Sequence, residues 1–353
     1  MALLPDTAQP HTATAILKGY ERAAKEEHRM HLGASLIGKS CARAIWYTFR
    51  WADREAFSGQ MLRLFQSGHL QEPRLIEDLQ RIGVRVDAFQ PDGRQWTFKA
   101  LGGHFGCSLD GVGLGLPEAP KTWHSFEFKT SNQKGFDKVS KEGVEKAKPQ
   151  HWAQMQVGMG LSALERALYL MVNKNTDELY SERVPYDAVA YARLMHKAES
   201  IIKATEPPAR LSERPDWFEC KFCTFHALCH VDQTPEVNCR TCAHSTPDLS
   251  GTDGRWTCSH EDLQSMPVIS EAVQRTGCSS HRYIPIFLER TAKPTDYHDG
   301  AVVYTMRDGQ VFANGDGTNG TFSSAEIRAA KTKAVLPEFA QLKYEFKTAK
   351  VVA

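Results

Sequence analysis

The chain has 353 residues, with 43 Lys and Arg against 42 Asp and Glu, for a formal net charge of +1 at pH 7. A balance this even excludes a global basic field for nucleic acid, so any such footprint must be local. No apolar run approaches the ~18 residues of a membrane span, and Met1 to Thr14 lacks the cationic start and apolar stretch of an export signal. A cytoplasmic protein is therefore expected, with no membrane partner. Its nine cysteines then belong in a reducing compartment, where clustered thiols bind metal more often than they pair.

Residues up to about 30 read as a polar lead-in and a helix, with Ala15, Leu17 and Tyr20 as its apolar points. His31 to Trp51 reads as a second helix, carrying Cys41. Glu55 to Arg81 is strongly helical, with Leu62, Leu64, Phe65, Leu75, Ile76 and Leu79 as its apolar face. Within it lies Gly68-His-Leu-Gln-Glu72-Pro, and a spacing of three puts His69 and Glu72 on one helical face. Val84 to Phe89 and Gln95 to Leu101 read as strands around the turn Gln90-Pro-Asp-Gly-Arg94.

The stretch Phe105-Gly-Cys-Ser-Leu-Asp110, followed by Ser125-Phe-Glu127-Phe-Lys129, has the size of a hairpin. Period-two geometry points Glu127 and Lys129 to one face and Phe126 and Phe128 to the other. The Gly- and Pro-containing segment between them favours a reversal that brings Asp110 beside Glu127. Two carboxylates and an ammonium on one face suit a divalent cation and a phosphodiester. Lys121 to Gln150 adds seven Lys against four acidic residues, a local positive excess.

Lys148 to Ala163 reads as a helix, Ala167 to Asn173 as a buried strand, and Asp187 to Thr205 as another helix. The alternation indicates an α/β core. Pro207, Pro208 and Pro215 break the chain before a cysteine-rich region. Further on, Ala301 to Met306 and Gln310 to Ala313 flank Arg307-Asp-Gly309 as a hairpin, and Ser323 to Lys331 reads as a helix begun by a capping serine. The expected division is a lead-in over 1–30, a catalytic domain over 31–232, a Cys-rich module over 233–289 and a small α+β unit over 290–353.

Cys220-x2-Cys223-x5-Cys229 has metal-ligand spacing but supplies only three thiolates. The fourth ligand is either local, from His226 or His230, or distant, from Cys41. A second set, Cys239-x2-Cys242-x15-Cys258-x19-Cys278, favours structural Zn²⁺. A second iron–sulfur cluster, or replacement of one thiolate by His244, His260 or His281, stays open. Such a module either presents Arg240, Arg255, Trp256 or Arg275 to DNA or serves only as a staple. Cys107, in a core strand, reads as a small buried hydrophobe.

Asp110 with Glu127-x-Lys129 resembles the signature of the PD-(D/E)XK nuclease superfamily, and Gly-His-Leu-Gln-Glu-Pro looks like its first motif. The resemblance lies nearest the RecB-like and YqaJ/lambda-exonuclease-type branches and covers about residues 31 to 230. Gln150-His-Trp-Ala-Gln154-Met-Gln156 fits their glutamine helix, with Gln154 as the motif residue. RecB-like members often carry a Tyr four residues later, where this chain has Gly158.

The resemblance implies a restriction-endonuclease-like mixed sheet flanked by helices, and a metal-dependent DNA exonuclease. Asp110, Glu127 and His69 would ligate Mg²⁺ or Mn²⁺ with the carbonyl of Phe128, and Lys129 would position water or stabilise the transition state. Glu72 would be a supporting or second-metal carboxylate. Iron–sulfur members such as AddB and CRISPR-associated nucleases place one Cys before the core and three after it. That implies a [4Fe–4S] cluster on Cys41, Cys220, Cys223 and Cys229. It also implies single-strand or duplex DNA ends as substrate, a recombinase or single-strand-annealing partner, a homo-oligomer, and a phage or mobile-element role in a bacterial cytoplasm. A non-catalytic nucleic-acid adaptor is argued against by the competent residue at each catalytic position. An iron–sulfur oxidoreductase lacks a Gly-rich dinucleotide fingerprint.

Overall fold

The structure, a computed structural model, describes residues 11–24, 28–54, 56–231, 233–260 and 268–333. The start of the lead-in and the end of the expected C-terminal unit lie outside these. The chain forms two compact units that are not linear along the sequence. The first comprises Met1–His28, Glu55–Phe98 and Cys107–Tyr191; the second comprises Arg29–Arg54, Lys99–Gly106 and Ala192–Ala353. Among the described residues no helix is long and apolar enough to cross a membrane.

The first unit is built on a five-stranded mixed sheet. Its strands are β1 (Arg85–Asp87), β2 (Gly111–Leu114), β3 (His124–Ser131), β4 (Arg166–Asn173) and β5 (Leu179–Pro185), in that spatial order. Only the β3–β4 pair is parallel, with Glu127 opposite Tyr169. Alternation along β4 divides the core. Leu168, Leu170 and Val172 pack with Phe126, Phe128, Leu75 and Leu79 on one face. Ala167, Tyr169 and Met171 pack with Phe136, Val139, Met155 and Met159 on the other. Helix α1 (Gln71–Arg81) supplies the first face, and helices α2 (Gln133–Glu142) and α3 (Pro149–Ser162) the second. A mixed α/β unit with helices on both sides of its sheet results.

Three elements differ from expectation. The segment Glu55 to Arg81 is two helices, Gly59–His69 and Gln71–Arg81, meeting at Leu70. Pro73 is the reason: it has no N–H to donate back to His69, so a continuous helix would lose a bond there. His31 to Trp51 is a short strand Leu32–Gly33 and two helices, Ala34–Ile37 and Ala42–Phe49. The strand β5 was missed because Ser181, Glu182 and Arg183 run consecutively through this sheet-edge segment, which reads as loop.

In the second unit, Leu32–Gly33 pairs in parallel with Phe105–Gly106. A small sheet follows from Ser245–Pro247, Trp256–Cys258 and Val268–Ile269. The expected hairpin at Ala301–Met306 and Val311–Asn314 forms, and Ala292–His298 adds an antiparallel strand to it. The helix Ser324–Lys333 does start at a capping serine. Ser323 Oγ accepts the Glu326 N–H at 3.3 Å, and the Glu326 carboxylate accepts the Ser323 N–H at 2.7 Å.

Candidate active site

Asp110 sits where the strand Phe105–Leu109 turns into β2. Its N–H donates to Phe126 O at 3.3 Å, and its Oδ2 accepts the Phe128 N–H at 2.7 Å. Asp110 is thus held by backbone on both sides of Glu127, its main chain by Phe126 and its carboxylate by Phe128. A Cβ at Gly113 would lie 2.3 Å from the Phe126 ring, so only glycine lets that ring fold against β2. Phe126 and Phe128 enter the apolar core, which turns Glu127 and Lys129 to the opposite face, as the period-two pattern predicts.

Glu127 is 3% exposed. Burial pushes its carboxyl up to about 7; the Lys129 ammonium opposes that shift and the Asp110 carboxylate adds to it. Burial likewise pushes Asp110 up, against Lys129, the Phe128 N–H and His69. Lys129 donates to the Glu127 carboxylate and, at 3.3 Å, to Phe128 O. Burial disfavours its ammonium, but Glu127 and Asp110 outweigh that and raise it. Two carboxylates and one cation share a water-poor strand face.

His69 ends one helix and Glu72 opens the next, so they do not share a single helix as expected. They nonetheless touch, His69 Nδ1 to Glu72 Oε1 at 3.2 Å, on the surface. The helix end passes close to β3: a Cβ at Gly68 would lie 3.9 Å from Thr130 Oγ1. His69 acts electrostatically on Asp110, and Glu72 on Glu127 and Lys129. The donors surround the carboxylate pair but have not closed on one point. Among the described residues no three His, Cys, Asp or Glu side chains form a group that could hold a metal ion.

A pair that the sequence reading missed completes this face. His151, on α3, meets the Tyr169 hydroxyl at 2.9 Å, and Tyr169 stands opposite Glu127 in the β3–β4 ladder. Burial, then the charges of Lys129 and Lys148, pushes His151 down to about 3, which keeps the imidazole neutral. Burial and Glu127 push the Tyr169 phenol up. Gln154 lies three residues beyond His151, hence on the same side of the helix, half-buried, its side chain without a hydrogen bond among the described residues. Gln156 is structural instead: its side chain donates to Pro185 O and accepts the Asp187 N–H, both within 2.9 Å.

In the second unit Cys41 joins Cys220, Cys223 and Cys229 around one cavity, beside Tyr47 and Phe225. Cys41 caps the helix Ala42–Phe49, its sulfur accepting the Ala44 N–H at 3.4 Å. Burial and then the charges of Cys41 and Cys229 push Cys220 up, so these sulfurs lie within electrostatic reach of each other. Cys239, Cys242, Cys258 and Cys278 line a second cavity. Arg240 and Trp256 are buried at 0% exposure and cannot present themselves to DNA. The Arg240 guanidinium lies 3.7 Å from the Trp51 ring centre and donates to Phe49 O and Met30 O. Arg255 and Arg275 bond to Asp253 and Glu271. Cys107 is buried, as expected of a small hydrophobe.

No protein-family model matches the sequence, and no curated protein matches it significantly. Among solved structures, an alkaline exonuclease from Laribacter hongkongensis is similar at 16% identity, covering 52% of this chain and 90% of that chain, with a TM-score of 0.36. The same exonuclease in complex with dAMP gives 14% identity, 53% and 90% coverage, and a TM-score of 0.35. Superpositions this loose establish neither fold nor activity, so the functional reading rests on the residues.

Proposed function

We propose that this chain is a metal-dependent DNA exonuclease of the PD-(D/E)XK type. The observation that carries the reading is the buried face on which Asp110, clamped to Phe128, meets Glu127 and Lys129. The donors fit a hard divalent cation: Asp110, Glu127 and the carbonyl of Phe128 offer oxygen, and His69 stands at the rim. Mg²⁺ or Mn²⁺ held there would supply Lewis acidity and a nucleophilic water near neutral pH.

The protein's own groups do the rest. Asp110 is oriented before any ligand arrives, because two backbone bonds fix it. Lys129 places positive charge where a phosphate oxygen gains negative charge, and the dry surroundings strengthen that interaction. Neutral His151, held by Tyr169, can give or take a hydrogen bond without adding charge. Glu72 holds His69 towards the site. Gln154 faces the same side as His151 and supplies an amide for the DNA backbone.

Cys41, Cys220, Cys223 and Cys229 suit a [4Fe–4S] cluster by donor chemistry, four thiols around one cavity. Its contribution would be structural, tying the segment that carries Cys41 to the one that carries Cys220 to Cys229. The motif resemblance supports DNA ends as substrate, end processing or degradation during phage or mobile-element recombination, a recombinase or annealing partner, and assembly into a homo-oligomer.

The test is cleavage of 5′- and 3′-labelled single- and double-stranded DNA with Mg²⁺ or Mn²⁺. Asp110→Asn, Glu127→Gln and Lys129→Met should each lower the rate by about 100-fold or more with the fold retained. Undiminished cleavage by all three would overturn the assignment. DNA binding without cutting under any divalent cation would make the chain an adaptor.

A further inference from the structure

The second cysteine cavity carries more than its spacing showed. Cys239 and Cys242 flank a single 3-10 turn, fixed by a reciprocal cap between Asn238 and Thr241. Cys258 ends the middle strand of the small sheet, opposite Ser245, and Cys278 follows the helix Glu271–Thr276. All four cysteines line one cavity, although 39 positions separate the first from the last, and their side chains do not converge on one point.

Two of the sulfurs accept backbone N–H bonds, Cys242 Sγ from Arg282 at 3.5 Å and Cys258 Sγ from His260 at 3.5 Å. Two imidazoles line the same cavity with a buried nitrogen left over, Nε2 of His244 and Nδ1 of His281. His281 is 2% exposed, and its other nitrogen is already engaged with Thr241.

The fold around them is too slight to hold itself. The three strands are two or three residues long, far below what an independent sheet needs. We infer that Cys239, Cys242, Cys258 and Cys278 hold one structural Zn²⁺, with His244 and His281 as N–H donors to the metal-bound sulfurs. Sulfur flanked by imidazole suits zinc, and N–H donors around a four-thiolate site temper its negative charge. Nothing in this inference depends on the nuclease reading.

Element analysis of the full chain, purified without oxygen and without chelator, tests it. About one zinc per chain is expected, lost from the Cys258→Ser/Cys278→Ser double variant while iron content stays unchanged. A wild-type chain with no zinc, or with only iron at this cavity, overturns the inference. Should the double variant fail to fold, native alkylation of the wild type decides: the four cysteines should be protected until a chelator is added, and equal labelling with and without chelator overturns the site. Cobalt substitution reads the ligands. His244→Ala and His281→Ala should keep the intense absorption of four-thiolate cobalt, and its loss in either would overturn the all-cysteine set.

Discussion

The Lys129 ammonium rests on the Glu127 carboxylate and on the carbonyl of Phe128, two oxygens of β3 that the proposed function assigns to a divalent cation. The lysine is therefore the internal counter-ion of the site, and a bound cation must share or displace it. Proton and cation also compete for Glu127, whose carboxyl lies up near 7 because it is buried. Below that pH the folded protein holds Glu127 protonated, and a cation must expel the proton. Mn²⁺ affinity, measured by calorimetry on the intact protein, should thus rise about 10-fold per pH unit from 5 to 7 and level off above. Glu127→Gln should remove that slope. An affinity independent of pH in the wild type would show that Glu127 does not bind the cation.

Tyr169 and His151 give a second prediction. Removing the hydroxyl in Tyr169→Phe leaves His151 Nδ1 part-buried and unpaired, at about 1 kcal/mol of stability. The ring then loses its fixed orientation beside Lys129. Cleavage should fall about 10-fold in kcat, with KM nearly unchanged, if the imidazole acts on the reacting phosphate. The double variant should be no more defective than His151→Ala, since both residues act through one contact. An unchanged rate in Tyr169→Phe, with the expected loss of stability, would reduce the pair to packing.

How much of this was legible beforehand differs residue by residue. The Asp110, Glu127 and Lys129 cluster could be read because strand alternation is local and the intervening Gly and Pro announce a reversal. The division of the helix at Leu70 was also written locally, in Pro73, but the apolar periodicity on either side masked it. His151 and Tyr169 carried no signal, since their meeting depends on how α3 docks on a parallel strand pair. Cys41 lines one cavity with Cys220, Cys223 and Cys229, yet only a family resemblance could single it out so far upstream. Arg240 and Trp256 stand with Arg255 and Arg275 among the residues that the Cys-rich module either presents to DNA or keeps as part of a staple, and sequence alone does not separate the two. In the structure Arg240 and Trp256 bury one another.

Gly158 explains the absent tyrosine of the glutamine helix. A Cβ there would sit 2.8 Å from Leu109 Cδ2 and 3.5 Å from Cys107 Sγ, where α3 approaches the strand that leads into Asp110. Gly158→Ala asks Leu109 for a small rotation, offset by the gain in helix propensity, and should change stability by less than about 1 kcal/mol. Gly158→Tyr has no such outlet and should destabilise by about 1–3 kcal/mol. Urea midpoints check both. Because the strain falls on Leu109, Gly158→Tyr should also weaken Mn²⁺ binding by displacing Asp110. A stable, fully active tyrosine variant would mean that the helix stands off from this strand.

Cys107 offers a probe of the same core without touching the catalytic groups. Burial pushes its thiol up to about 12, and the nearby carboxylates of Glu127 and Asp110 add to the shift. Only the thiolate reacts, so at pH 8 about one part in ten thousand of Cys107 is reactive, and that fraction has no access to reagent. Iodoacetamide on the native protein, followed by peptide mass spectrometry, should therefore leave Cys107 unlabelled until urea reaches the unfolding transition. A divalent cation bound as proposed would neutralise the two carboxylates and should delay that labelling to higher urea, in proportion to the stability it adds. Labelling of Cys107 in native buffer as fast as in the urea-unfolded chain would show that the strand Phe105–Leu109 opens, and with it the clamp on Asp110.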